Sequence, residues 1–114
     1  MPAAIEVKAR VVAGGRRAFG PGKADLLDSI AAEGSISRAA KAMEMSYSRA
    51  WQLVDTMNGA FRHPLVESSA GGLRGGGAVL TRHGEEVLAL YRRLQARLDT
   101  DLAAFLPEFE KRLK

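Results

Sequence analysis

Apolar and charged residues alternate at the start of the chain, where Ile5, Val7, Ala9 and Val11 are separated by Glu6, Lys8 and Arg10. A period of two puts one set of side chains on each face of an extended strand, so this stretch predicts a strand with one face buried. Gly14 and Gly15 supply the positive φ angles of a tight turn, and residues 16–19 then run back as the partner strand of a β-hairpin. After Gly20-Pro21-Gly22 the apolar period lengthens. Leu26, Leu27 and Ile30 recur at helical spacing and Gly34 stands where a left-handed cap ends a helix, predicting a helix over 23–33. A second helix is predicted over 38–43, with Ser35 or Ser37 accepting from its free amides. Glu44-Met45 leaves only a short break before Ser46, the expected cap of a third helix. In that helix Ala50, Leu53, Val54, Met57 and Phe61 share one face, and His63-Pro64 stops it.

Short strands are predicted at 65–69 and 78–80, joined by a glycine-dense hairpin tip. Thr81 then caps a long helix whose stripe of Val87, Tyr91, Leu94, Leu98, Leu102 and Phe105 advances in steps of three and four until Pro107 breaks it. A stripe that long exceeds what a domain of this size needs for its own core, and it is read as a dimerisation face. The expected fold class is mainly α with a small β component (α+β). Residues 1–81 form one domain and 82–114 a C-terminal helical dimerisation segment.

The stretch 35–60 packs two short helices into little chain. Such helices cross steeply only where small residues let the backbones approach, and Ala39-Ala40 supplies them. With Ala50, Leu53, Val54 and Met57 turned inward, Ser48, Arg49, Gln52 and Asp55 fall on or beside the outer face, with Tyr47 next to them. This is the arrangement of a helix-turn-helix whose second helix enters the major groove of DNA. Arg49 is suited to pair with guanine and Gln52 with adenine, while Ser46 and Ser48 suit phosphate or base edges. Arg38 and Lys41, on the preceding helix, are placed for the phosphate backbone. The same residues also fit an ordinary solvated helix face. The hairpin over 65–80 follows where a wing would be, and its Arg74 is suited to a narrow minor groove. Trp51, one turn beyond Tyr47, is expected to pack against the first helix or the wing, with stacking against the sugar-phosphate wall or a partner subunit as the alternative.

The formal net charge of +4 favours an anionic partner without proving one. The chain has no cysteine, which removes disulfides and thiolate chemistry. Its two histidines, His63 and His83, lie in separate segments, which argues against a zinc site. Ser68, His63 and Glu67 lack a nucleophile elbow and are not read as a triad. The glycine run has no following Gly-Lys-Ser/Thr and is not a nucleotide loop. No catalytic residue, metal ligand or cofactor is therefore assigned, and the chain is not read as an enzyme. With no apolar run of membrane length and no signal-peptide pattern, it is expected in the cytoplasm.

Gly34-Ser35-Ile36-Ser37-Arg38-Ala39-Ala40 leading to Met45-Ser46, followed by Leu80-Thr81-Arg82-His83-Gly84, resembles the winged helix-turn-helix of LysR-type regulators. The run from Met45 through Ser46, Tyr47, Ser48, Arg49, Ala50, Trp51, Gln52, Leu53, Val54 and Asp55 is more specific. With Pro64-Leu65-Val66-Glu67 and the glycine-rich tip, it resembles the N-terminal domain of the ModE-type molybdate-responsive regulators. The resemblance covers about residues 5–93. It implies a dimer that binds a palindromic operator on double-stranded DNA, in a molybdenum-related or similar regulon. Family members continue into small β-barrel domains that bind molybdate, and 114 residues leave no room for them, so the chain is not expected to sense the oxyanion itself. A second expectation is a protein-interaction module that pairs with a full-length molybdate regulator and modulates it.

Overall fold

A computed structural model describes residues 2–69 and 76–114. In chain order the elements are β1 (Val11–Ala13), β2 (Arg16–Phe19), α1 (Pro21–Glu33), α2 (Ile36–Ala42), α3 (Tyr47–Ala60), β3 (Val66–Ser68), β4 (Ala78–Leu80), α4 (Arg82–Ala103) and α5 (Leu106–Glu110). The strands form two separate antiparallel pairs, β1 with β2 and β3 with β4. The fold is mainly helical with two small hairpins, a winged helix-turn-helix as the residue pattern indicates.

The helix starts follow the expected local chemistry. Ser35 accepts a hydrogen bond from the Arg38 amide, Ser46 from the Arg49 amide and Thr81 from the Gly84 amide, each at 3.0 Å. Each hydroxyl thereby satisfies one of the free donors in a first turn. Gly34 closes α1 in the left-handed conformation, with φ 78°. Between α2 and α3 the same conformation falls on Glu44, at φ 56°. The turn is locked by Glu44 N–H donating to the Lys41 carbonyl and Met45 N–H to that of Ala40. A residue with a Cβ is strained there. Replacing Glu44 with glycine is therefore expected to stabilise the chain by up to about 1 kcal/mol. Urea unfolding checks this, and a destabilised variant would show that the Glu44 side chain holds the turn.

The core joins all the major elements. Phe19, Leu26, Leu27, Ile30, Met57 and Leu65 are fully enclosed, and Ala39, Ala40 and Ala50 are buried where α2 meets α3. Their small size lets the two backbones approach, as the crossing requires.

The opening segment corrects one expectation. Residues 5–9 do alternate between half-buried and exposed, but they do not pair with β2, whose partner is only Val11–Ala13. They lie instead along α4. The Gln95 side-chain amide accepts from the Ala9 N–H at 2.9 Å and donates to the Val7 carbonyl, while the Tyr91 hydroxyl donates to the Ala9 carbonyl at 2.8 Å. A helix surface and a neighbouring strand impose the same period of two on an extended chain, so the pattern alone could not name the partner.

Tyr91 is corrected with it. Only 4% exposed, it packs edge-on against Phe19 at 5.2 Å between ring centroids and so belongs to the chain's own core. Val87 is partly buried against the same core. The apolar surface left open on α4 is carried by Leu90 and Leu94, 62% and 41% exposed, with Leu98 and Leu102 half-buried beyond them. Helix α4 ends at Ala103, ahead of Pro107. The proline sits in the first turn of α5, where its missing N–H costs no helical bond. Phe105 therefore lies exposed at the junction, outside α4.

Candidate nucleic-acid interface

Helix α3 is held by its inner face. Ala50, Val54 and Met57 are buried, and Ser48, Gln52 and Asp55, on the opposite side, are all exposed. The two flanks differ. On one side Arg49, Leu53 and Thr56 border a cleft shared with the first hairpin and the start of α1. On the other, Tyr47 and Trp51 border a cleft shared with α2 and the base of the β3–β4 hairpin. Trp51 thus lies between α3 and that hairpin, but it remains 46% exposed and does not bury itself there.

That hairpin is fixed to the scaffold at its base. Val66, Glu67 and Ser68 pair with Leu80, Val79 and Ala78. Ala78 N–H donates to the Gly34 carbonyl at the end of α1, and Thr81 donates through its N–H to Leu65 and through its hydroxyl to Pro64. Asn58, on the last turns of α3, makes the remaining link. Its Oδ1 accepts from the Leu65 and Val66 amides at 2.8 and 3.2 Å, and its Nδ2 donates to the Val66 carbonyl at 3.1 Å. Sequence reasoning missed this residue, because an asparagine inside a helix announces no long-range partner. Replacing Asn58 with alanine strands two amides in a partly buried place and is expected to cost about 2 kcal/mol. Hydrogen exchange at Leu65 and Val66 should accelerate. Unchanged protection there would mean that the strand holds without the asparagine.

The other residues expected to meet DNA are placed less uniformly. Lys41 is exposed near the end of α2. Arg38 is exposed too, but its Nε donates to the Glu33 carbonyl at 2.8 Å, which holds its guanidinium at the α1–α2 junction. Ser46 serves first as the cap of α3. Arg74 lies outside the described residues. His63 and His83, distant in sequence, stack with ring centroids 4.0 Å apart and planes 10° from parallel. Among the described residues no group of three or more histidines and carboxylates is arranged to hold a metal ion, and no helix is long and apolar enough to cross a membrane.

The electrostatics are concentrated on the Arg49 flank. Burial, reinforced by the positive charges of Arg49 and Arg17, pushes the Lys23 ammonium below the ordinary lysine pKa. Burial also pushes the Tyr91 phenol, whose hydroxyl donates to the Ala9 carbonyl, above its ordinary value.

Comparison with known proteins agrees with this geometry. The chain is 47% identical over 77 residues to the molybdenum transport protein ModE of Azotobacter vinelandii, covering 68% of this chain and 28% of that protein. It is 48% identical over 71 residues to the DNA-binding transcriptional dual regulator ModE of Escherichia coli K12, covering 62% and 27%. To the molybdenum-pterin-binding protein MopB of Rhodobacter capsulatus it is 42% identical over 95 residues, covering 83% and 34%. The chain thus spans about a quarter to a third of the length of these relatives. Among solved structures it resembles the full-length LysG of Corynebacterium glutamicum with bound effector Arg, at a TM-score of 0.55 and 30% identity, covering 79% of this chain and 30% of that one. Residues 23–85, from the first turn of α1 to the first turn of α4, match the family described as bacterial regulatory helix-turn-helix protein, lysR family. The chain belongs to the lysR family of bacterial regulatory helix-turn-helix proteins.

Proposed function

We propose that this protein is a sequence-specific DNA-binding transcriptional regulator that acts as a homodimer on a palindromic operator. The observation that carries the reading is the placement of Ser48 and Gln52. Both stand exposed on the outer face of α3, whose inner face is locked into the core and whose end is tied to a wing. A helix presented in this way enters the major groove, where Gln52 suits adenine and Ser48 a base edge or phosphate. Arg49 stands to one side, nearer the groove wall; the exposed Lys41 suits a backbone phosphate, and Arg38 suits one from the α1–α2 junction, where the Glu33 carbonyl holds its Nε. The exposed Leu90 and Leu94 on α4 supply an apolar face for the second chain, and the half-buried Leu98 and Leu102 extend it. The similarity to a molybdenum transport protein and a molybdenum-pterin-binding protein supports a molybdenum-related regulon.

A gel shift on the region upstream of the protein's own gene, with the stoichiometry of the complex measured by light scattering, tests this. The expected result is a retarded complex holding two chains, weakening steeply as salt rises. The same apolar face of α4 suits a second reading, in which the chain pairs with a full-length molybdate regulator and modulates it. Co-purification with such a regulator, without DNA binding by this chain alone, would favour that reading over the first.

A further inference from the structure

Two clefts flank α3, one on either side of the face that carries Ser48 and Gln52. The cleft beside the wing, about 200 Å³, is bordered by Tyr47, Trp51 and the serines Ser37, Ser68 and Ser69. The other, about 430 Å³, lies between α3, the β1–β2 hairpin and the start of α1. Arg10, Arg17, Lys23 and Arg49 all line it, over an apolar floor that includes Phe19, Met43, Met45 and Leu53. No acidic residue borders it, and among the described residues none of the four cations takes part in an ion pair. Lys23 is held in place by its Nζ donating to the Arg17 carbonyl at 2.7 Å. Four positive charges from separate parts of the chain therefore converge beside the DNA-facing helix, none with an ion-pair partner among the described residues.

We infer that this cleft is a phosphate seat, occupied by the sugar-phosphate backbone on one side of the groove that α3 enters. The inference rests on the DNA-binding reading given above. An α-helix with its side chains is roughly 10–12 Å across and B-DNA's major groove about 12 Å wide, so whatever lies on each flank of the helix meets one of the two phosphate walls. The wing occupies one flank and the first hairpin the other. Guanidinium groups match the paired oxygens of a phosphate, and the apolar floor lowers the local dielectric and strengthens the attraction. The hairpin thereby gains a role that its packing leaves open, since of its strand residues only Ala18 and Phe19 are buried.

The test compares the full-length chain with Arg17→Gln/Lys23→Gln and with the charge-conserving Arg17→Lys, by fluorescence anisotropy on labelled duplexes across a range of salt. The double variant is expected to bind specific and random duplexes about ten-fold more weakly. Its log–log salt slope should be shallower by about 0.9 for each phosphate that is no longer neutralised, while Arg17→Lys keeps the parent slope. An unchanged slope in the double variant overturns the DNA seat. A second arm, without DNA, follows the amide NMR signals of the hairpin and α1 on titration with phenyl phosphate and with inorganic phosphate. Saturable binding of phenyl phosphate that the double variant abolishes, combined with an unchanged DNA slope, would assign the seat to a small phosphate ester and overturn the backbone as its occupant. If the parent chain binds no duplex at all, the DNA-binding reading fails by itself. The backbone is then overturned as occupant, and the phosphate arm decides what the cleft holds: saturation assigns it to a small phosphate ester, and no response removes the phosphate seat altogether.

Discussion

Substituting Gly84 with alanine is expected to destabilise the protein by about 3 kcal/mol or more, lowering its melting temperature by on the order of 10 °C. Gly84 lies in the first turn of α4, where a Cβ would stand 2.1 Å from the Leu65 carbonyl oxygen and 3.0 Å from its carbon. The obstacle is backbone, so no side-chain rotation relieves it. Nor is Leu65 free to withdraw. Its carbonyl accepts from Thr81 N–H at 2.9 Å, its own N–H donates to Asn58, and its side chain is fully buried. Moving it would pull on the cap of α4, the end of α3 and the base of the wing together. Gly59, on α3 with open space around it, is the internal comparison. There alanine is expected to be neutral or to stabilise by up to about 1 kcal/mol, because it favours the helix. Thermal and urea unfolding of the two variants measures the contrast. A Gly84→Ala protein as stable as Gly59→Ala would mean that α4 does not dock this closely.

The largest functional effect is expected from Ser48→Ala combined with Gln52→Ala. Both side chains are exposed and point away from the core, so the variant should melt within about 0.5 kcal/mol of the parent. A bidentate contact to a base edge contributes about 1–3 kcal/mol of discrimination. The ratio of specific to random binding should therefore fall by about ten-fold or more. The formal charge is unchanged, so the salt slope and the affinity for random DNA should stay as they are. This is the inverse of the outcome expected for Arg17→Gln/Lys23→Gln, which changes affinity and slope together. Equal discrimination before and after the double substitution would remove Ser48 and Gln52 from the reading surface.

What the residues announced in advance was chiefly local. Ser46 and Thr81 could be read as caps, and Gly34 as a helix end, because each acts on amides or carbonyls within a few positions of itself. The exposed placement of Ser48 and Gln52 was legible for a similar reason. The periodic row Ala50, Val54 and Met57 fixes which side of α3 faces the core, and the opposite side follows. Pairings across long stretches of chain were not legible. Nothing in the local pattern shows that Gln95 would clasp residues 7 and 9, that Asn58 would hold β3, or that His63 and His83 would stack. Tyr91 illustrates the same limit from within a correct helix. Its helical spacing is legible in the pattern, but the burial of that turn is set by Phe19, far earlier in the chain. The cationic cleft is invisible in sequence because Arg10, Arg17, Lys23 and Arg49 come together only when the hairpin folds against α3.

Selection of bound duplexes from a random pool, carried out with the full chain, tests the central reading most directly. The expected outcome is a dyad-symmetric consensus whose half-sites lie about one helical turn apart, roughly 34 Å, and whose preferred bases vanish in Ser48→Ala/Gln52→Ala. Recovery of no enriched sequence, or of one consensus unchanged by that variant, would contradict the assignment of α3 as the helix that reads DNA.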